Sequence, residues 1–130
     1  MSSIIKIKSF SDGEMILSEK YEGSIQKKGR YLRIEYRDDK DFLTKMTLCF
    51  DDAGLYRLDS DGERKLAISC EDGRGNAILT LGAHSLDGKI TGFKSHIEEL
   101  PEKYKVRIEY TLSFSSYQKT KTLLELEAII

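Results

Sequence analysis

Apolar and polar residues alternate along most of this chain, and the clearest case is "YKVRIEYTLSF", residues 104–114. Every even-numbered position in this stretch is apolar or aromatic, and every odd-numbered position is polar. A period of two is the pattern of a β-strand with one buried face and one wet face. Eleven residues at about 3.4 Å each would run ~37 Å, which is long enough to wrap diagonally around a small barrel.

The same period continues between turn signals and predicts ten strands. Asp-Gly pairs, which suit tight hairpin turns, occur at residues 12–13, 61–62, 72–73 and 87–88. No 10–15-residue helical pattern that could cross between parallel strands is present. The strands are predicted at about 3–10, 14–27, 30–37, 43–50, 54–59, 64–71, 76–85, 89–97, 103–115 and 117–129.

These strands predict an all-β fold in one domain, residues 1–130. A flat meander would leave two exposed edges and an uncovered apolar face, whereas closure into an antiparallel up-and-down barrel of about 8–10 strands removes both problems. A β-sandwich is the second interpretation. In the last segment Leu124, Leu126 and Ala128 alternate with glutamates, but the spacing of Leu123, Glu127 and Ile130 also suits a helix. Strand is favoured, and whether it pairs within its own chain stays open.

Charge and length narrow the function classes. The 130 residues carry 21 Lys and Arg against 22 Asp and Glu, so the net charge is -1. This balance argues against nucleic acid or an anionic membrane as the main partner, because both reward a basic excess. Lys6 and Lys8 interrupt the apolar start, unlike a signal peptide, and no apolar run reaches the ~20 residues that span a bilayer. A cytoplasmic protein is expected.

Several segments from about Lys6 onward have a pattern of strand alternation and glycines: "IKIKS", "YEGSIQKKGRYLRIEY", "TKMTLCFDDAGLYRL", "GNAILTLGAHS" and "YKVRIEYTLSF…KTLLELE". In these segments the chain resembles the YwiB-like family of uncharacterised small bacterial proteins. It implies a calycin-like (lipocalin-like) β-barrel, and it lends neither a reaction nor a cofactor. The chain departs from the family pattern at "SCEDGRGN" and at His84-Ser85.

No catalytic or metal-binding signature stands out, so an enzyme is not the expected class. His84 and His96 are the only histidines, and no ligand spacing joins them to nearby acids. Ser85 follows His84 directly, and neighbours on a strand point to opposite faces, which forbids a direct base–nucleophile pair. Cys49 should point outward and Cys70 inward, so no disulfide is expected.

The better candidates for binding are polar groups on the apolar phase. Tyr36, Tyr104 and Tyr110 lie on this phase, where each hydroxyl needs a partner in a packed core or serves as a polar handle for a ligand. Arg57 in "LYRL" is a surface charge if Tyr56 faces inward, and otherwise a buried cation that needs an anion. His84 should lie near a barrel end. The predicted ligand-binding residues are Tyr36, Arg57, His84 and Tyr110.

Three functions follow from a barrel of this kind. The favoured one is binding of a small, mostly apolar ligand at one barrel mouth, since the large predicted interior residues leave little room deeper inside. The second is an interaction or assembly module with a filled core, working through a strand edge or an outer face, in which case a homodimer is one form. The third, an enzyme with an interior polar cluster, has no residue constellation to support it.

Overall fold

The computed structural model describes residues 3–51, 54–62, 64–115 and 118–130. Period-two alternation produces ten strands in this part of the chain. They are β1 Ser3–Ser11, β2 Glu14–Lys28, β3 Tyr31–Arg37, β4 Leu43–Cys49, β5 Tyr56–Ser60, β6 Arg64–Glu71, β7 Arg74–Leu81, β8 His84–Glu99, β9 Lys103–Ser115 and β10 Gln118–Ile129.

The strands close into an antiparallel up-and-down barrel in the order β1-β10-β9-β8-β7-β6-β5-β4-β3-β2. The predicted barrel is therefore confirmed, and the sandwich interpretation is wrong. The last segment is a strand that pairs with β1 of its own chain, with Ile5 opposite Ala128 and Ile7 opposite Leu126. Residue 117 of the predicted strand lies outside the described residues. Among those residues no helix is long and apolar enough to cross a membrane.

The connections between strands alternate between the two ends of the barrel. We call upper the end that carries the connections β1–β2, β3–β4, β5–β6, β7–β8 and β9–β10. The lower end carries the other four connections, the start of β1 and the end of β10. Two of the predicted Asp-Gly turns have positive φ at both residues, 50° and 84° at residues 12–13, and 56° and 82° at residues 72–73. These values are those of the tight hairpin turn that Asp-Gly favours.

The turn predicted at Asp87-Gly88 is wrong, because β8 runs straight through these two residues. Gly82, with φ of 60°, supplies the connection between β7 and β8 instead. Gly88 serves a packing role: a Cβ at this position would lie 2.9 Å from the ring of Phe114. A glycine inside a strand can mark such a close approach rather than a turn.

The inward-facing side chains fill the lower and middle part of the barrel. Tyr104, Val106, Ile108 and Tyr110 are all buried, as the alternation of β9 predicts. The residues with no exposed surface come from six strands and form one continuous core: Ile5, Leu32, Ile34, Leu48, Tyr56, Ile108 and Ala128. The ring of Tyr56 stacks on that of Phe93 with centroids 5.4 Å apart. This core is filled by side chains.

The barrel wall is uneven in height. Strands β3 to β7 have 5 to 8 residues, whereas β2 has 15 and β8 has 16. Only Gly23–Lys28 of β2 pair with β3, so the upper half of β2 extends past its neighbour. Gly23 is the first residue of β2, counted from its upper end, that pairs with β3. A Cβ there would overlap the carbonyl oxygen of Glu35.

Met15 departs from the predicted face of β2. Strict alternation along "EMILSEKYEGSI" predicts Met15 on one face with Leu17 and Tyr21, but the register between β1 and β2 shifts between Ser9 and Phe10. Leu17 is opposite Ser9 and Met15 is opposite Phe10, so Ile16 is the extra residue of a β-bulge. The bulge breaks the strict alternation on which the prediction depended.

Both cysteines are free thiols, as predicted. Cys70 faces the core, and burial raises the pKa of its thiol to about 11. Cys49 lies opposite Tyr31 on the outward phase, yet it is only 8% exposed. Its cover is Gly54, whose backbone approaches so closely that an added Cβ would lie 2.9 Å from that of Cys49. The strand pattern thus gave the direction of this side chain but not its burial.

Candidate functional site

Among the described residues of β7, β8 and β9, three large apolar side chains on the inward-facing phase remain exposed at the upper end of the barrel. Leu81 of β7 is 38% exposed, Leu86 of β8 is 49% exposed and Phe114 of β9 is 36% exposed. They come from three neighbouring strands, and the ring of Phe114 packs over Gly88, two residues beyond Leu86. We call these three residues the upper rim. The rim presents apolar surface to solvent at the mouth of an otherwise filled barrel.

Two basic residues flank the upper rim. Leu81 pairs with Arg64 on one side and with His84 on the other, so both belong to the same inward-facing row at the end of their strands. Both are exposed. The structure therefore places His84 at the barrel end that the sequence indicated for it.

A row of hydroxyl groups lies on the short side of the upper end. In the register of the sheet, Tyr36 of β3 is opposite Thr44 of β4, and Thr44 is opposite Ser60 of β5. The hydroxyls of Thr44 and Ser60 are 3.1 Å apart and share a hydrogen bond. Burial raises the pKa of Tyr36 to about 12, while a side-chain hydrogen bond with Thr44 opposes this rise. The ring of Tyr36 also stacks on Tyr21 of β2, with centroids 5.1 Å apart.

Tyr110 supplies a hydroxyl from the long side of the barrel. It is 8% exposed and pairs across the strands with Thr122 of β10. Burial raises the pKa of Tyr110 to about 12, the neighbouring Cys70 acts in the same direction, and a side-chain hydrogen bond with Thr122 opposes both. This residue therefore stays neutral far above physiological pH and can donate a hydrogen bond.

Tyr56 completes the group, and its hydroxyl is unusual. The side chain has no exposed surface, and within the described residues its Oη has no hydrogen-bond partner. Burial raises the pKa of Tyr56 well above its ordinary value, and the nearby Tyr110, Tyr36 and Cys70 act in the same direction. A buried hydroxyl without a partner costs about 1–3 kcal/mol, so an unpaired one calls for an explanation such as a water or a ligand atom. We call the six residues that carry these hydroxyls the hydroxyl cluster: Tyr36, Thr44, Tyr56, Ser60, Tyr110 and Thr122.

The chemistry available to these side chains is hydrogen bonding. Tyrosine and cysteine supply the titrating side chains of the hydroxyl cluster and its surroundings, and burial raises the pKa of Tyr36, Tyr110 and Cys70 alike. At neutral pH all three are protonated, so they donate and accept hydrogen bonds but do not act as bases or as a thiolate nucleophile. The described residues contain no group of three or more His, Cys, Asp or Glu that could hold a metal ion.

The predicted binding residues divide into two sets. Tyr36, Tyr110 and His84 all lie on inward-facing phases toward the upper end. Tyr36 and Tyr110 are close enough to Tyr56 to raise its pKa. Arg57 lies elsewhere: Tyr56 and Leu58 face the core, so Arg57 is an exposed charge on the outer wall. This is one of the two outcomes that the sequence left open for "LYRL".

The sequence prediction missed Tyr56, Thr44 and Ser60. Each occupies the same phase as an apolar neighbour two residues away in its strand. The period of two therefore indicated that these three side chains face inward. For Tyr56 this was not used, because the phase of "LYRL" was left open. The pairing of Thr44 with Ser60 depends on register between strands, which the alternation within one strand does not contain.

The outer wall carries a separate, charged groove of about 860 Å³ on strands β2, β1, β10, β9 and β8. Opposite charges alternate across it: Lys6 faces Glu127, and Glu127 faces Lys105. Glu127 also accepts a 2.9 Å hydrogen bond from Lys103 Nζ, which holds the pKa of this carboxyl below its usual range. Charges of both signs interleave along this groove, so it lacks the single-sign field that would select a charged ligand.

Comparisons with known proteins bear on the fold. No family model matches this chain, and no curated protein does. Among solved structures, the ywiB protein from Bacillus subtilis superimposes with a TM-score of 0.73. The chain is similar in fold to ywiB. The match covers 98% of this chain and 90% of ywiB at 15% sequence identity. The YwiB-like resemblance noted in the sequence is thus confirmed for the fold, and a likeness at this identity carries no statement about a ligand.

Proposed function

We propose that this calycin-like barrel binds a small, mostly apolar molecule at its upper mouth. The observation that carries the proposal is the upper rim, Leu81, Leu86 and Phe114, whose inward-facing side chains remain 36–49% exposed. At the lower end the large exposed apolar residues that the structure describes are Tyr31, which lies on the outward phase, and Ile130, the last residue. Small-molecule sites typically combine an apolar lining with a few polar groups that fix orientation.

The hydroxyl cluster supplies those polar groups. Tyr36 and Tyr110 approach Tyr56 from opposite sides of the barrel, and Tyr56 has a donor to offer. Because the core below is filled, the ligand lies at the mouth. Its apolar part contacts the upper rim, and one polar atom is directed toward the hydroxyl cluster. Charged headgroups are not required, since the hydroxyls are neutral.

Binding of the neutral fluorescent probe N-phenyl-1-naphthylamine tests this function. We expect the wild-type barrel to enhance its fluorescence, and Leu86→Glu to weaken the probe affinity about 10-fold, because burying an unpaired carboxylate against an apolar ligand is costly. Ile78→Glu is the matched control: Ile78 is 46% exposed on the neighbouring strand but faces outward. Equal effects of the two variants, or no probe binding together with a ligand-free native mass spectrum of protein taken from cell extract, would contradict the proposal.

Assembly is the second candidate function. Its support is a different feature, the upper half of β2, which pairs with β1 but extends past β3, and it does not depend on a ligand at the mouth.

A further inference from the structure

One hydroxyl in the barrel interior has a hydrogen to donate and no acceptor for it. The side chain of Tyr56 has no exposed surface, and its Oη has no hydrogen-bond partner among the residues that the structure describes. The ring stacks on that of Phe93, and Leu48 and Cys70 are its neighbours on the two adjacent strands. An unpaired O–H held in such apolar surroundings favours a ligand that brings an acceptor atom.

The other hydroxyls of the cluster are paired with one another. Tyr36 and Ser60 each form a hydrogen bond with Thr44, and Tyr110 forms one with Thr122. Tyr36, Ser60 and Thr122 are half-buried, so the hydroxyl cluster extends from the surface of the mouth to the buried Oη. The donor that is left for a ligand is therefore the buried one.

The charges around the cluster narrow the choice of polar atom. Burial raises the pKa of Tyr36 to about 12, and Asp38 acts in the same direction. Burial also raises the pKa of Tyr21, which stacks on Tyr36, and Glu19, Asp39 and Asp38 add to this rise. These carboxylates repel an anion. They attract a cation, but an ammonium group has no lone pair to accept the buried O–H. A neutral oxygen meets both conditions.

We propose that the ligand of the upper mouth is an uncharged carbonyl compound whose oxygen accepts a hydrogen bond from Tyr56 Oη. This inference rests on the proposed function and adds the chemical class of the ligand. A carbonyl oxygen supplies lone pairs and brings no hydrogen that would need a partner of its own. Because Tyr56 has no exposed surface, the ring of Tyr36 or Tyr110 must move aside to admit the carbonyl.

Two ligands of the same shape test the charge argument. Methyl octyl ketone and nonanoate share an octyl chain, and they differ in whether the carbonyl carbon carries a methyl group or a charged oxygen. We expect isothermal titration at neutral pH to give about 10-fold tighter binding of the ketone, because the carboxylate loses its hydration and meets like charges.

Tyr56→Phe tests the hydrogen bond itself. It should weaken binding of the ketone about 5-fold, because the carbonyl oxygen loses its donor, and it should change nonanoate binding less. Tyr104→Phe is the matched control, since it removes a hydroxyl from another buried, inward-facing tyrosine at the lower end of β9. The control variant should bind the ketone as the wild type does.

The ligand-free protein provides a second measurement. Tyr56→Phe should keep or raise the urea concentration at the midpoint of unfolding, because it removes an O–H that has no partner. A lower midpoint would show that another group already pairs with this hydroxyl, and it would overturn the proposal.

The binding results separate this inference from the proposed function. Binding of neither the fluorescent probe nor the ketone would overturn both. Probe binding together with nonanoate binding at least as tight as that of the ketone would overturn the inference alone, and it would indicate an anion at the basic residues Arg64 and His84. Probe binding together with a ketone affinity that Tyr56→Phe leaves unchanged would likewise overturn only the inference.

Discussion

The lower and upper parts of the barrel interior use the same alternating pattern with different results. In the lower part Leu48 and Ile108 have no exposed surface, whereas at the upper mouth Leu86 is half exposed although it also faces inward. The difference lies in what covers each side chain. Leu48 belongs to the continuous core that fills the lower and middle part of the barrel, whereas Leu86 lies two residues from the upper end of β8 and outside that core. Alternation determines which way a side chain points, and the side chains packed around it determine whether it is buried.

Two leucine truncations give the largest test of this comparison. Leu48→Ala should lower the free energy of unfolding by about 2–5 kcal/mol, because it removes buried methyl groups and leaves a cavity in a close-packed core. Leu86→Ala should cost less than about 1 kcal/mol, since its side chain already contacts water. Urea denaturation of both variants measures the difference. Equal losses would show that the upper rim is part of the core and not an open mouth.

Two glycines sharpen the same contrast. Gly23→Ala should cost about 3 kcal/mol, at the upper end of the range for overpacking, because its Cβ would overlap the carbonyl oxygen of Glu35 in a fixed stretch of backbone. Gly88→Ala should cost less than about 1 kcal/mol. Its Cβ meets the ring of Phe114, and that ring is 36% exposed and can move aside. Thermal unfolding of the two variants provides the measurement. A larger loss for Gly88→Ala would mean that Phe114 is held rigidly at the rim.

These two glycines also show what the sequence could and could not predict. The period of two was enough for the strands, the barrel and the inward direction of Tyr36 and Tyr110. Gly88 misled the prediction because Asp-Gly suits a turn equally well, and only the ring of Phe114, 26 residues away in the chain, explains a glycine inside a strand. The exposure of Leu86 depends likewise on which side chains of other strands cover it. Such facts come from pairing between distant segments, which local periodicity does not record.

The smallest expected effect is the pH dependence of stability that the hydroxyl cluster causes. This cluster lies between the closed core and the open mouth. In the folded chain Tyr36 and Tyr110 each lose their proton only at a pH of about 12, because burial raises the pKa of both. In the unfolded chain a tyrosine loses it near pH 10. Between these values the unfolded state binds fewer protons than the folded one, so the stability that the tyrosines contribute is complete below pH 10 and is lost as the pH rises toward 12.

We expect this loss to reach at most about 3 kcal/mol for each tyrosine, of which about half is present at pH 11. Urea denaturation at pH 8 and pH 11 should therefore show a smaller fall in stability for Tyr36→Phe and for Tyr110→Phe than for the wild type. Lysines also titrate in this range, but they are the same in all three proteins, so the difference between variant and wild type isolates the tyrosine. If Tyr110→Phe flattens the pH dependence and Tyr36→Phe does not, Tyr36 is open to water and the mouth extends down to the stacked ring of Tyr21. If neither does, water reaches both hydroxyls, and the filled core begins lower in the barrel than Tyr110.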